Sequence, residues 1–292
     1  MPRRGRQFIL WNVGPGKPGH PFNGEYHIEM PASSDHRPGP GKDTGDGVEA
    51  PSVDAAEIAG FEALAAQWWD PDGPFRPLHR FNPARVGFIR DRACAHWGRA
   101  PQTNNPLDGL ALLDIGTGGG LVAEPMARLG ARVTGIDPSD KNIAIARTHA
   151  AAMGLEITYR AAAAERLAAE GQTFDIVLAL EVVEHVADLG VFLDASAALV
   201  KGGGIFIAAT LNRTARAYAL AIIGAEYIMG WLPRGTHDWN KFVTPAEMTA
   251  GLDASGLRVT VICGIVFNPL TASWRIATDT GVNYIVVAEK GS

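Results

Sequence analysis

Three stretches of the chain carry residue types whose spacing could do chemistry together. The first, Asp114-Ile115-Gly116-Thr117-Gly118-Gly119-Gly120, ends an apolar run with an acid and a glycine turn. Glycines let a backbone turn sharply and let a ligand approach where a Cβ would otherwise stand. The second is Asp137, which closes Arg132-Val133-Thr134-Gly135-Ile136 and lies 21 positions after Gly116. An acid at the end of a second strand can accept hydrogen bonds from both hydroxyls of a ribose. A nucleoside-containing ligand is the direct inference. The third is Glu181-Val182-Val183-Glu184-His185, immediately behind the apolar run 173–180.

The loop also says which nucleoside. A dinucleotide site uses Gly-x-Gly-x-x-Gly, so that a pyrophosphate rests on a helix N-terminus. Here the spacing is Gly-x-Gly-x-Gly, and Asp114 precedes it. A carboxylate there repels a diphosphate but suits a ligand with an ammonium and a sulfonium. Asp114, Gly116, Gly118 and Asp137 together therefore favour S-adenosylmethionine over NAD, with Leu180 bordering the adenosyl group. The plainer alternative is a turn that only packs helix on sheet, with Asp137 an ordinary loop acid.

The Glu-Glu-His stretch has three readings. His185 is a candidate catalytic base for a phenolic proton, because its pKa lies in the working range. Glu181, Glu184 and His185 are also a candidate ligand set for a divalent cation, the carboxylates suiting magnesium and the histidine admitting zinc. If the stretch is a helical turn, Glu181 faces Glu184 and His185 at i+3 and i+4. The bland reading is a pair of acids at a helix N-terminus.

These residues need a scaffold, and the rest of the chain supplies one. Strands are expected at 110–115, 131–136, 156–160, 173–180 and 203–210, with helices near 119–129, 139–153 and 188–200. Two late strand runs at 257–267 and 282–289 bring the count to seven. Asp54 can cap a helix running to Trp69, and Asn82-Pro83 opens another through about Trp97. Alternating strands and helices with short connections imply an α/β fold, a doubly wound, mostly parallel sheet with an antiparallel last strand.

At this point the chain resembles the ubiquinone-biosynthesis O-methyltransferases, class I Rossmann-like enzymes that methylate polyprenylated phenols and catechols. The resemblance runs from about Asp54 to the C-terminus. It rests on pieces outside the generic core, among them Phe61-Glu62-Ala63, Trp68-Trp69-Asp70, Pro77-Leu78-His79-Arg80 and Thr210-Leu211-Asn212-Arg213. Gly224-Ala225-Glu226-Tyr227-Ile228, Gly235-Thr236-His237-Asp238, Asn268-Pro269 and Val282-Asn283-Tyr284 continue the series. It implies adenosylmethionine contacts at Arg85, Gly116, Asp137 and Leu180. It also implies both O-methylations of the pathway by one enzyme, other proteins of that pathway as partners, and a divalent cation at the Glu-Glu-His cluster. Thr117 stands where the family usually has cysteine, and Leu180 where a methionine can occur.

Residues 217–232 hold one charge, Glu226, and are flanked by Arg213, Arg216, Arg234 and Lys241. Sixteen residues fall short of the ~20 needed to span a bilayer, but suffice for a helix lying in an anionic interface. The segment 213–243 is thus expected to be an apolar lid that also touches the membrane, placing the chain in the cytoplasm at the inner face of the cell membrane. His237-Asp238 could orient a ring hydroxyl. Residues 1–50 contain nine Gly and seven Pro, the composition of a disordered extension. It reads either as a floppy tail or as an upstream start with Met30 as the true beginning. The methyltransferase domain is then 51–292.

Composition bounds the remainder. The 26 Lys+Arg against 31 Asp+Glu give a net charge of -5, which argues against a nucleic-acid binder. The two cysteines, Cys94 and Cys263, offer no disulfide framework or cysteine-built zinc site. Two alternatives stay open: a methyltransferase of another small hydrophobic phenol, and a non-catalytic lipid-binding protein.

Overall fold

The computed structural model describes residues 51–219, 239–268 and 273–292. Residues 1–50, most of the apolar segment, and His237, Asp238 and Pro269 lie outside the described residues.

The Asp54 carboxylate accepts from the Ala56 and Glu57 amides and so caps α1 (Ala55–Leu64). A 3-10 turn, Ala65–Gln67, ends this helical run short of Trp69. The next helix, α2 (Arg76–His96), begins six residues before Asn82, with Pro83 inside it. It starts early because Pro77 occupies the first turn, where a missing N–H costs nothing. Pro83 then removes one intrahelical bond without ending the helix.

The core alternates as expected: β1 (Ala111–Ile115), α3 (Ala123–Arg128), β2 (Arg132–Asp137), α4 (Asp140–Ala152), β3 (Thr158–Ala161), α5 (Ala164–Ala169) and β4 (Phe174–Leu180). A 3-10 turn at Val183–His185 leads to α6 (Leu189–Leu199), β5 (Val200–Leu211) and the single turn α7 (Ala215–Ala217). The chain closes with α8 (Pro245–Ala254), β6 (Leu257–Asn268), β7 (Ser273–Ala277) and β8 (Asn283–Lys290). The strands form one sheet in the order β3-β2-β1-β4-β5-β8-β6-β7. The first five are parallel, while β8 runs antiparallel between β5 and β6.

The sheet therefore has eight strands rather than seven. The added edge strand β7 pairs only with β6 and has no fully buried residue, so it lacks the apolar run that marks the central strands. Helix α5 escaped notice for a similar reason: it is only six residues, half of them alanine.

Both faces of the sheet are covered, which explains why β4 reads as an unbroken apolar run. Ile176, Leu178 and Leu180 pack with Val86, Ile89 and Met126 on one face. Val177 and Ala179 pack with Phe192, Leu193, Met248 and Leu252 on the other. A third cluster joins Ala65, Trp68 and Phe75 to Leu121, which seats the N-terminal helices over the carboxyl edge of the sheet. Among the described residues no helix is long and apolar enough to cross a membrane.

Candidate active site

Register brings the site together. Ile115 pairs with Ile136 and with Ala179, so Gly116, Asp137 and Leu180 emerge side by side at the carboxyl ends of β1, β2 and β4. Ligands bind at that edge of an open parallel sheet. A single cavity of about 800 Å³ lies there, lined by Arg85, Asp114, Gly116, Gly118, Asp137, Leu180, Glu181, Glu184 and His185 among others. The residues that the sequence marked for the cofactor and for the Glu-Glu-His cluster line this one space, while His237 and Asp238 lie outside the described residues.

The glycine turn is held in a shape that side chains would spoil. Gly116 has φ +68, and a Cβ on it would lie 2.5 Å from Val182 Cγ2. Gly118 has φ +52, and a Cβ there would run into the indole of Trp68. The Gly118 amide donates to Asp137 Oδ2 at 3.0 Å, and Asp137 Oδ1 accepts from Ser139 N at 2.9 Å and Asn142 Nδ2 at 3.2 Å. Asp137 thus ties the loop to β2. Burial pushes its pKa up, opposed by these three hydrogen bonds. Trp68 covers the loop, its indole N–H donating to Asn142 at 2.9 Å, while the Trp69 indole donates to Gly119 O at 2.9 Å.

Asp114 is 3% exposed. Burial raises its pKa to about 6, against the Thr117 hydrogen bond and the Arg85 charge. Thr117 Oγ1 donates to it at 2.8 Å, a bond that a cysteine at this position would make only weakly. Arg85 is equally buried. Its guanidinium donates to Asn82 at 3.1 Å, lies 3.6 Å from Glu181 and sits 4.4 Å over the Phe81 ring. Asn82 is itself anchored on Leu121 O at 2.7 Å, which gives the Asn82-Pro83-Ala84-Arg85 segment its purpose. Arg85 Nε is buried without a hydrogen-bond partner among the described residues.

The condition for Glu181 to face Glu184 and His185 at i+3 and i+4, a helical turn over the whole stretch, is not met. Glu181 adopts φ 55, a left-handed backbone that non-glycine residues rarely take, and only Val183–His185 forms a 3-10 turn. Glu181 and Glu184 hydrogen-bond to each other, and each of the three side chains also has a partner outside the stretch. Glu184 accepts from Thr210 Oγ1 at 2.7 Å. Glu181 faces Arg85, and burial together with the Glu184 carboxylate pushes its pKa up. His185 Nδ1 meets Glu57 Oε2 at 3.1 Å. Among the described residues no group of three His, Cys, Asp or Glu side chains could hold a metal ion. Glu181, Glu184 and His185 as placed do not fit a ligand set for magnesium or zinc.

Glu57 and Lys241 are the functional residues that sequence reasoning missed. Lys241 Nζ donates to Glu57 Oε1 at 2.8 Å and to Asp54 Oδ2 at 2.9 Å. The His185 contact, and after it Lys241, pulls the Glu57 pKa down to about 2 against burial. Burial disfavours charge on His185, but Glu57, Glu184 and Glu181 outweigh it and raise its pKa. Phe61 meets the His185 ring edge-on at 5.1 Å between centroids. Nothing local announces this pairing: Glu57 and His185 are 128 positions apart, and an acid in a helix's first turn is ordinarily a dipole partner.

Comparison with known proteins accords with this architecture. Residues 113–208 match the methyltransferase domain family. Among solved structures, a magnesium protoporphyrin IX methyltransferase from Synechocystis superposes with a TM-score of 0.53 at 21% identity, covering 80% of this chain and 94% of that one. An S-adenosylmethionine-dependent methyltransferase from Thermotoga maritima gives 0.52 at 18%, covering 79% and 98%. Both likenesses are of fold. Closer relatives carry the name ubiquinone biosynthesis O-methyltransferase. The protein from Methylobacterium nodulans is 55% identical over 240 residues, 82% of this chain and 96% of its own. That from Parvibaculum lavamentivorans is 53% identical over 248 residues, 85% and 98%. Identity above half, along nearly the full length of those proteins, establishes that the chain belongs to the ubiquinone biosynthesis O-methyltransferase family.

Proposed function

We propose that the protein transfers a methyl group from S-adenosylmethionine to the oxygen of a polyprenylated phenol or catechol, and serves both O-methylations of ubiquinone biosynthesis. The observation that carries this reading is the meeting, in one cavity, of an acid-lined glycine cradle with a histidine backed by a carboxylate.

The residues fit adenosylmethionine. The orphaned Arg85 Nε suits a buried carboxylate acceptor. Asp114 suits an ammonium, and the positive-φ glycines leave the space that a Cβ would fill. Asp137 accepts from Gly118, Ser139 and Asn142, which leaves about one acceptor site, on Oδ2, for a ribose hydroxyl. When bound, the cofactor supplies an electrophilic methyl on its sulfonium, and the acceptor oxygen displaces a neutral thioether. His185 acts on the acceptor. Its Nδ1 contact with Glu57 orients the ring, and the imidazole is the base that takes the phenolic proton. A base is needed because a phenol of pKa ~10 is mostly neutral at pH 7. The divalent cation expected at this cluster carries no step here.

The Asp114 assignment has a pH signature. Its pKa of about 6 means the carboxylate is ionised above that value and neutral below it, and the ionised form is the one that attracts an ammonium. Cofactor affinity is expected to be flat above about pH 7 and to fall as pH drops through 6, approaching about tenfold per unit. Arg85, Thr117 and Asp137 surround the group, and Asp114→Asn is expected to bind weakly and to lose the step. Titration calorimetry from pH 5 to 8 measures this; a pH-independent affinity in the unaltered protein contradicts it.

The remaining parts of the reading rest on the sequence of 217–232 alone: an apolar segment, arginine-flanked, that contacts anionic lipid at the inner face of the cell membrane. One experiment tests activity and setting together. With labelled adenosylmethionine and a demethylubiquinol analogue in anionic vesicles, label is expected in the lipid fraction, and the protein is expected to sediment with those vesicles rather than neutral ones. No transfer to the analogue refutes the function, and equal sedimentation refutes the membrane contact.

A further inference from the structure

The cavity does not stop at the reacting groups. It continues along the carboxyl edge of the sheet past Leu211 on β5 and Asn283 on β8 to Ile265 and Phe267 on β6 and Trp274 on β7. Its lining changes on the way. Near β1, β2 and β4 it is set with Asp114, Asp137, Arg85 and Glu181. Beyond β5 it is walled by aromatic and branched side chains, with Arg216 and Asp279 paired to each other at 2.7 Å at its rim.

Three rings build that wall. Phe81, from the helix that also carries Arg85, lies 5.6 Å from Trp274 between centroids, and Phe267 lies 5.2 Å from it. Phe267 and Trp274 are cross-strand partners on the hairpin, and Phe267 is 48% exposed. Phe267 is not a lone exposed ring: with Trp274 and Phe81 it makes a contiguous apolar face on the cavity, and such a face marks a binding site. The stack runs from Arg85, at the cofactor end, to the open edge of the sheet. Strands lie about 4.8 Å apart, so four steps from β4 to β7 give a trough of roughly 19 Å.

We infer that Phe81, Phe267 and Trp274 form the binding site for the isoprenoid tail of the acceptor, which enters over the edge strand β7 while its ring sits at His185. This rests on the proposed function and adds to it a tail subsite and an entry side. An unsaturated, branched hydrocarbon matches such a wall, whereas a polar extension of the acceptor would leave its hydrogen bonds unmade.

The test compares one catechol ring with and without a short isoprenoid tail, in wild type, Trp274→Ala, Trp274→Phe and Phe267→Ala. Wild type is expected to show a lower KM for the tailed acceptor. Trp274→Ala is expected to lose about tenfold of that preference, with kcat and the KM of the tail-less ring unchanged, and Trp274→Phe to restore most of it. Phe267→Ala, truncated at a half-exposed position, keeps the test independent of folding and is expected to show a smaller loss of the same kind. Full retention of the tail preference in both alanine variants overturns the subsite, as does an equal loss for the tail-less ring. Failure of wild type to methylate either ring while binding adenosylmethionine overturns the proposed function itself.

Discussion

Replacing Asp137 with alanine is expected to weaken adenosylmethionine binding by roughly ten- to a hundredfold. A charged hydrogen bond contributes roughly 1.5–3 kcal/mol, one is lost with the ribose, and each 1.4 kcal/mol is about tenfold. The loop effect adds to this, because the same carboxylate holds the Gly118 and Ser139 amides. Asp137→Asn is the milder change: it keeps one acceptor oxygen but sets an NH2 against the Gly118 or the Ser139 amide, so binding is expected to fall by about tenfold or more through both the lost charge and the disturbed loop. The alanine variant also leaves the Gly118 and Ser139 amides and Asn142 without their acceptor, so folding is checked alongside binding. Calorimetry gives the affinities and a thermal melt the folding. Unchanged affinity in the folded alanine variant would remove the nucleoside assignment.

The second large effect is expected at His185. Loss of a general base typically costs on the order of 10²–10⁴ in rate, so His185→Gln should lower kcat by that factor while cofactor affinity stays within about twofold. Glu57→Gln should lower kcat by about tenfold, with little change in KM for either substrate, because Glu57 orients the base and stabilises the charge it gains on taking the proton. Lys241→Met should act in the same direction and less, since it touches only Glu57 and Asp54. Single-turnover methyl transfer, which excludes product release, is the measurement. A His185→Gln rate within a few-fold of wild type would show that the acceptor reaches its reactive form without this base.

The two halves of the site were legible to very different degrees. Asp114, Gly116, Gly118 and Asp137 stand out because their roles are local: each is fixed by its position on a strand or turn, and strand register then aligns them. The same holds for Leu180, which any parallel β4 would deliver to that edge. The catalytic half depends on contacts that cross the chain. Glu181 and His185 were recognised by residue type, but residue type does not give the left-handed Glu181 or the partners Arg85, Thr210 and Glu57 that the stretch meets.

The sequence by itself determined the doubly wound core, the cofactor cradle and the family. Apolar runs, glycine spacing and strand-end acids act within a few residues, and so survive in one dimension. Tertiary structure alone decided which carboxylate backs His185, that Lys241 braces it, and that a short edge strand brings Trp274 against Phe81. Each of these joins residues tens to hundreds of positions apart, through side chains whose local surroundings are ordinary, and only the packing of helices and hairpin onto the sheet edge makes them neighbours.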